Sequence, residues 1–223
     1  MKHRALLVSA TILLYSLSAF GQADSPFQVR YVSNLVAGDS VINISNTGAS
    51  STSAFPSQNG NLCVNAYTFS PDEQLISCCS CPVTPNGLVS LSARSDLISN
   101  TLTAGVPTSI VVKLLATTGT GAECSAATAG AGPTDFFPQG VGGNIPARGM
   151  VAWGTTIHAL PVTPGSPATT FGITETPFIP ATLSEAERAR ITNLCGFIQV
   201  NGSGFGICKS CRLGGLGATN SAL

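Results

Sequence analysis

Eight cysteines constrain the fold of this chain more than any other feature of its sequence. Three of them fall within four positions, in the stretch Cys78-Cys79-Ser80-Cys81. An even number of cysteines in an exported chain predicts a framework of paired disulfide bridges. The disulfide candidates are Cys63, Cys78, Cys79, Cys81, Cys124, Cys195, Cys208 and Cys211.

Side chains alternate between the two faces of an extended strand, and this alternation limits which cysteines can form disulfides with each other. If residues 75–81 form a strand, the side chains of Cys79 and Cys81 point to one face and that of Cys78 to the other. A bond between Cys78 and Cys79 is not expected, because a bridge between neighbours needs a strained ring. We expect these two cysteines to connect the strand to two different neighbours, with Cys63 on the preceding strand as the partner of one.

A long-range bridge is also expected. Its candidates are Cys195, at the end of a predicted helix, and Cys124, in a long loop. In the chain-entropy model, a bridge that closes a loop this long stabilises the fold by about 4 to 5 kcal/mol. The full set of pairings stays open, because eight cysteines allow many connectivities.

Two other kinds of chemistry compete for the same cysteines. The motifs Cys78-x-x-Cys81 and Cys208-x-x-Cys211 supply four thiols at a spacing known from zinc sites. Redox chemistry at the second motif is the other alternative, although thiol oxidoreductases place their first cysteine at a helix N-terminus. Because the motif follows a predicted hairpin and the chain is predicted to be exported, we favour disulfides, with no cofactor.

The N-terminus has the pattern of a secretory signal peptide. Lys2 and Arg4 precede an apolar run, Ala5–Phe20, and small residues then lead to Ala23. The run of about 16 residues is shorter than the roughly 20 that cross a bilayer as a helix. We predict a cleaved signal peptide over residues 1–23 and a secreted, periplasmic or cell-surface protein. Retention of the segment as an anchor is the alternative.

The composition excludes one class of partner. Charged residues make up 9% of the chain, against about 25% in a typical globular protein. Nucleic-acid binding needs clustered basic side chains, which this sequence lacks. A surface rich in hydroxyls and amides suits an unknown protein or a polysaccharide surface as partner. No second segment is apolar enough to span a membrane once the signal is removed.

Period-two alternation of apolar residues predicts strands along most of the mature chain. The fold class that follows is mainly β, an antiparallel β-sandwich with one short C-terminal helix, held together by disulfides. We predict one β-rich domain over residues 24–212, with a possible subdomain seam at residues 118–150. Residues 213–223 are predicted to form a flexible tail.

Five predicted strands are specific enough to test. FQVRYVS and SVINIS, joined through Ala37-Gly38-Asp39, are interpreted as an N-terminal strand pair. NLCVNAYTF and QLISCCSC form a second predicted hairpin. The most β-branched stretch, TSIVVKLLAT, is predicted to be a central strand.

One helix is predicted near the C-terminus. Ser184 and Glu187 match the S-x-x-E capping box, so the helix is expected to begin at Ser184. It is expected to run for roughly three turns and to end at Gly196, which can adopt the left-handed conformation. A closing hairpin is predicted around the turn Asn201-Gly202.

Two blocks of the chain resemble a group of uncharacterised exported bacterial proteins. The blocks are GNLCVNAYTFSPDEQLISCCSCPVTPNGL and the later GSGFGICKSC. The resemblance implies export and no function, so no catalytic residue follows from it.

Catalytic signatures are weak. His158 is the one histidine after the signal, and no G-x-S-x-G elbow is present. A carbohydrate-active hydrolase would need two carboxylates about 5 to 9 Å apart in a cleft. The candidate carboxylates are Asp39, Asp72, Glu73, Asp96, Glu123, Asp135 and Glu175.

Trp153, with Tyr67 and Phe69, is a candidate sugar-stacking platform, although the sole tryptophan of a β protein is more often a core residue. The leading hypothesis is an exported structural or adhesive protein that binds a partner without catalysis. The alternatives are a hydrolase that uses a carboxylate pair and a zinc-binding module with four cysteine ligands. Enzymatic activity is left uncertain, and the sequence weighs against it.

Overall fold

The computed structural model describes residues 24–52, 60–100, 103–118, 124–129, 145–161, 170–202 and 206–212. The predicted signal peptide and the predicted C-terminal tail lie outside the described residues. Within the described ranges the chain forms two β-sheets and one long helix, so the predicted mainly β sandwich with a C-terminal helix is confirmed.

The strands follow the alternating apolar pattern of the sequence. In chain order they are β1 (Phe27–Val32), β2 (Val41–Asn46), β3 (Leu62–Phe69), β4 (Leu75–Val83), β5 (Leu88–Ser92), β6 (Ile110–Thr118), β7 (Met150–Ala159), β8 (Phe171–Pro177), β9 (Ile179–Pro180) and β10 (Gly206–Ile207). The helical elements are a 3₁₀ turn (Ala49–Thr52), a π-helical turn (Ala93–Ile98), α1 (Glu185–Val200) and a single turn, α2 (Lys209–Arg212).

The strands divide between a six-stranded and a four-stranded sheet. The six-stranded sheet has the order β10-β4-β3-β6-β1-β9, and all its neighbours are antiparallel except β10 and β4. The four-stranded sheet has the order β5-β2-β7-β8 and is antiparallel throughout. As predicted, β3 and β4 form a hairpin and β6 lies in the interior of its sheet, between β3 and β1.

The predicted N-terminal strand pair is wrong. β1 belongs to the six-stranded sheet and β2 to the four-stranded sheet, and residues 33–40 carry the chain between them. The reason is burial on both sides of β1. Phe27 faces the helix side, whereas Gln28 and Arg30 are buried between the sheets, at 0% and 5% exposure. A strand with both faces covered belongs inside a layered structure rather than in a terminal hairpin.

Apolar side chains from both sheets fill the space between them. Ile42, Ile44 and Leu91 of the four-stranded sheet pack in one cluster with Val64 and Leu114 of the six-stranded sheet. All five are buried. Burial of apolar surface between two sheets is the main force that holds a sandwich together.

Helix α1 covers the other face of the six-stranded sheet and makes a third layer. Ile191, Cys195 and Ile198 of the helix pack in a second cluster with Phe27 and Tyr67 of the sheet. The helix begins as predicted, because the Ser184 hydroxyl accepts a hydrogen bond from the backbone N–H of Glu187 at 3.1 Å.

The predicted end of the helix is wrong. α1 continues past Gly196 to Val200, because Ile198 extends the apolar stripe that Ile191 begins. The side-chain amide of Asn201 donates to the carbonyl of Phe197 at 2.7 Å and closes the last turn. The predicted closing hairpin is therefore wrong as well. Its first strand is helical, and its second, β10, pairs in parallel with β4.

The predicted seam at residues 118–150 is described in part. Residues 124–129 pack onto the helix side of the six-stranded sheet, where Ala126 and Ala129 are buried. Further on, Pro146 forms a bridge with Thr117 at the end of β6. The rest of that segment lies outside the described residues. Across the described ranges, no helix has the length and apolar character needed to cross a membrane.

Candidate binding face and its cross-linked frame

All eight cysteines are paired, which confirms the disulfide framework predicted from their number. The Cα atoms of the bonded residues lie 4.9 to 5.8 Å apart, within the usual range. The pairs are Cys63–Cys124, Cys78–Cys195, Cys79–Cys208 and Cys81–Cys211.

Three of the four bridges leave from β4. Cys78 points to the helix side and bonds to α1, whereas Cys79 and Cys81 point between the sheets and bond to the C-terminal segment. The predicted division of faces is confirmed, and so is the prediction that Cys78 and Cys79 bond to different neighbours.

Two predicted pairings are wrong. Cys63 lies opposite Pro82 in the hairpin, too far along the ladder from Cys78 and Cys79, and bonds to Cys124 instead. Cys124 and Cys195 therefore do not bond to each other. Both belong to the helix side of the sheet, but each meets a different strand.

The four candidate zinc ligands do not meet at one site. Cys78 lies on the opposite face of β4 from the other three. The sulfur atoms of Cys81, Cys208 and Cys211 do lie within 4.8 Å of one another. They belong to two disulfides, however, and a bridged sulfur is not the thiolate that binds a metal. The redox interpretation fails for a related reason, since Cys208 and Cys211 bond to β4 and not to each other.

A buried carboxylate completes the frame. Asp96, in the π-helical turn, is 1% exposed. Its oxygens accept hydrogen bonds from the backbone N–H of Ser92, and from the backbone N–H and hydroxyl of Ser210, all at 2.7 Å. Three donors compensate the charge that burial would otherwise penalise. The C-terminal segment is thus held to the sandwich by two disulfides and one carboxylate.

The other candidate carboxylates fall in three places among the described residues. Asp72 and Glu73 are exposed neighbours in the turn between β3 and β4, and Glu175 is exposed on β8. Asp39, also exposed, accepts a hydrogen bond from the hydroxyl of Ser92, whose backbone N–H donates to the buried Asp96. The hydroxyl of Ser70 donates to the Asp72 carboxylate and lowers the pKa of Asp72, which favours the charged form. Glu123 and Asp135 lie outside the described residues.

His158 has no acidic partner within the described part of the chain. It lies half-buried on β7, beside Gly172 of β8, where an added Cβ would come within 2.9 Å of its Nε2 atom. Contact with a neighbouring strand is the packing expected of a structural side chain.

The predicted aromatic platform is also wrong. Tyr67 is fully buried beneath α1, where its hydroxyl donates to the carbonyl of Ala126 at 2.8 Å, and Phe69 is buried beside it. Burial raises the pKa of the Tyr67 hydroxyl, so it stays a neutral donor. Trp153 lies on the other sheet. It is neither stacked with these rings nor a core residue, because it is half-buried on the outer face.

The outer face of the four-stranded sheet is the best candidate for a binding surface. Trp153 lies in its interior strand, β7, directly opposite Asn43 of β2 and Pro177 of β8. The hydroxyl of Ser90 on β5 donates to the Asn43 side-chain oxygen at 2.6 Å. The Asn43 amide in turn donates to Glu175 of β8 at 3.3 Å. A polar row therefore crosses all four strands beside the indole. We call these residues the tryptophan face: Asn43, Ser90, Trp153 and Glu175.

The tryptophan face offers both apolar and hydrogen-bonding contacts. Ser90 and Glu175 are exposed, and Asn43 and Trp153 are half-buried. Among the described residues Glu175 hydrogen-bonds to Asn43, which leaves carboxylate lone pairs open to solvent. The backbone N–H of Val41 donates to the Thr155 hydroxyl at 2.8 Å and keeps the neighbouring strands aligned. The surface is built on four strands, each hydrogen-bonded to its neighbour.

Sequence reasoning missed Asn43, Ser90 and the role of Glu175. A signal was present, since Asn43 and Ser45 alternate with the buried Ile42 and Ile44, and Ser90 alternates in the same way beside Leu91. What the sequence did not contain was the order of the strands, which brings β5, β2, β7 and β8 side by side.

Comparisons with known proteins add no relative. No protein-family model, curated protein or solved structure matches this chain. Its function therefore rests on the chemistry of its own residues.

Proposed function

We propose that this is an exported binding protein that holds a polysaccharide on the tryptophan face and performs no catalysis. The observation that carries the proposal is the position of Trp153. It lies on an interior strand of the sheet, directly opposite Asn43, whose side chain hydrogen-bonds to the Ser90 hydroxyl and to the Glu175 carboxylate.

The chemistry of this surface suits sugars. A sugar ring presents C–H groups on its faces, which pack on an aromatic side chain, and hydroxyls at its rim, which both donate and accept. Asn43 and Ser90 supply donors and acceptors, and the Glu175 carboxylate supplies acceptors only. The face of a sheet suits an extended chain of sugar units better than a small free ligand, which needs a concave site.

The low charge of the chain supports the same class of ligand. Charged residues are 9% of the sequence, so the surface has little electrostatic attraction for a highly charged partner. Asp39 and Asp96, the two described candidate carboxylates that share a hydrogen-bonding partner, are both engaged in hydrogen bonds that hold the fold, which supports binding without hydrolysis.

Export is supported by two independent features. The N-terminal segment has the pattern of a signal peptide, and four disulfides connect the body of the protein. To test export, the full chain is expressed in a bacterial host with a periplasm, and the mass of the recovered protein is measured in each cell fraction. A chain that begins at Asp24 in the soluble periplasmic or culture fraction is expected. A full-length chain in the membrane fraction would support a retained anchor, and one in the cytosol would exclude export.

Trp153 provides the test of polysaccharide binding, because it is the only tryptophan in the chain. Its fluorescence reports on the tryptophan face alone. The probes are soluble β-glucan, chitin oligosaccharides and solubilised peptidoglycan, titrated into the mature protein. At least one is expected to shift the emission and to protect the indole from acrylamide quenching.

Single substitutions test whether the tryptophan face, rather than another part of the surface, binds the polysaccharide. Polysaccharide binding by each variant is measured by affinity electrophoresis. Trp153→Ala and Asn43→Ala are each expected to weaken binding by about tenfold or more, equal to ~1.4 kcal/mol. Tyr31→Ala is the matched control, since Tyr31 is an aromatic residue that is 59% exposed on the other sheet. Equal losses in Tyr31→Ala and Trp153→Ala would contradict the proposal. So would a fluorescence change with an isolated cell-surface protein and none with any polysaccharide.

A further inference from the structure

Strand β8 is an exposed edge of the four-stranded sheet. Among the described residues its one strand neighbour is β7. Six of the seven residues of β8 are exposed, and Gly172 is half-buried. A free edge of this kind presents unpaired backbone donors and acceptors to any strand that can lie beside it.

The hydrogen-bonding pattern of the β7–β8 ladder shows which backbone groups of β8 point away from β7, towards the free edge. The N–H of Leu160 donates to Thr170 at 2.8 Å, and the N–H of Phe178 donates to Ala152 at 2.9 Å. In an antiparallel ladder bonded positions alternate, so residues 172, 174 and 176 turn their N–H and C=O groups towards β7. Residues 171, 173 and 175 turn theirs towards the free edge.

The side chains at the outward-facing positions are not those of a protected edge. Phe171 is 46% exposed and Ile173 is 67% exposed. Natural edge strands are blocked by charged side chains, above all lysine, by an internal proline or by a bulge. β8 has no lysine, and its one charged residue, Glu175, accepts a hydrogen bond from Asn43 of its own sheet. Its proline is the last residue, and its register with β7 runs without a shift. Among the described residues this edge is therefore open to pairing.

The strand is complementary to itself. A two-fold axis at Ile173 places that residue opposite its own copy and Phe171 opposite Glu175 of the copy. Residues 171, 173 and 175 of one copy then each lie opposite one of the same three residues of the other copy. Each of these three residue pairs exchanges two backbone hydrogen bonds, about six in all. The exposed side chains of Ile173 come together on the outer face, and no like charges lie directly opposite.

We propose that β8 pairs antiparallel with β8 of a second copy of this chain, so that two four-stranded sheets become one sheet of eight strands. The contact hides Ile173 and satisfies the outward backbone groups. It also places two tryptophan faces on one continuous surface, which increases avidity for a repeating polymer. The pairing itself depends on the edge alone and stands whether or not a polysaccharide binds.

The test is the oligomeric state of the mature protein, measured by sedimentation equilibrium over about 10 µM to 1 mM, a range suited to a small interface. A monomer–dimer equilibrium is expected. Ile173→Lys places two charges opposite each other at the axis and is expected to weaken the dimer at least tenfold. Val200→Lys is the matched control, because Val200 is 89% exposed at the end of α1. It is expected to leave the dimer unchanged.

A second variant tests the backbone pairing itself. Ile173→Pro removes an N–H that points away from β7, so the intramolecular ladder keeps its hydrogen bonds while the dimer loses the pair at its axis. Circular dichroism checks that each variant is folded. A molar mass equal to that of one chain at every concentration would overturn the proposal. Equal dimer affinity of the Ile173→Lys and Val200→Lys variants would overturn it as well. A monomeric protein that instead takes up an added strand-forming peptide at this edge would overturn it too and would assign the edge to a partner protein.

Discussion

Cys78 and Cys79 are neighbours in the chain, yet their disulfides leave opposite faces of the same strand. The first ties β4 to the helix that covers the sheet, and the second ties it to the C-terminal segment beside the sandwich core. The alternation of side chains along a strand makes this possible without strain between the two cysteines. β4 is therefore the strand that is cross-linked both to the covering helix and to the C-terminal segment.

Removing either bridge is expected to destabilise a different part of the molecule. Cys78→Ala/Cys195→Ala opens a bridge between residues 117 positions apart, and Cys79→Ala/Cys208→Ala opens one between residues 129 apart. Each double variant is expected to lose about 4 to 5 kcal/mol of unfolding free energy, because the unfolded chain regains entropy.

Hydrogen exchange distinguishes the two double variants. The first is expected to lose amide protection along α1, and the second along residues 206–212. Loss of protection spread evenly over both regions in both variants would contradict the separation of the two bridges by the sheet.

The Asp96 carboxylate is expected to be essential for stability. Asp96→Asn keeps the shape but places an N–H₂ group against a donor, either the Ser210 amide or the Ser92 amide. The variant is expected to lose about 1 to 3 kcal/mol, the cost of buried donors without an acceptor. The measurement is the urea midpoint of unfolding. Glu73→Gln, at an exposed position, serves as control and is expected to stay within about 0.5 kcal/mol of the parent.

Arg30 is expected to hold the two sheets together at one end of the sandwich. Its guanidinium donates to the carbonyl and hydroxyl of Thr176 and to the hydroxyl of Thr156, and it lies over the ring of Phe178. Burial lowers the pKa of Arg30, and the nearby Glu175 carboxylate partly opposes that effect. The charge is therefore compensated mainly by hydrogen bonds.

Replacing Arg30 by lysine is expected to cost about 1 to 3 kcal/mol. An ammonium group cannot reach Thr156 and Thr176 with the planar fork of a guanidinium. Thermal and urea unfolding measure the loss. The same change at Arg148, which is exposed, is expected to have no measurable effect. Equal stability of the two lysine variants would show that the contacts of Arg30 do not contribute.

Glu187 is expected to make stability depend on pH at the acid end. Its hydrogen bond to Arg190 and the charge of Lys113 lower the pKa of the Glu187 carboxyl below its ordinary value of 4.5. A carboxyl with a lowered pKa stabilises the fold above its unfolded pKa, and the effect is lost as the pH falls through the folded pKa. The contribution is expected to be only about a few tenths of a kcal/mol, because solvent screens a partly exposed pair.

The check is a carboxyl NMR titration of Glu187 together with unfolding at pH 7 and pH 3. Glu187→Gln is expected to be slightly less stable than the parent at pH 7, and the difference is expected to shrink at pH 3. A titration midpoint at or above the ordinary value of 4.5 would contradict the ion pair.

Local rules in the sequence determined the elements and the presence of cross-links. The capping box set the start of α1, alternation set the strands and divided the cysteines of β4 between two faces, and the even count indicated disulfides. These features depend on residues close together in the chain, where the spacing of side chains fixes their directions.

Only the tertiary structure decided which elements meet. β1 and β2 joined different sheets, Cys63 bonded to Cys124, and Trp153 lay beside Asn43 and Glu175 rather than with Tyr67. Strand order and long-range pairing depend on the burial of whole faces, such as the polar side of β1 that holds Arg30 between the sheets. That free energy belongs to the assembled layers, so no short stretch of sequence contains it.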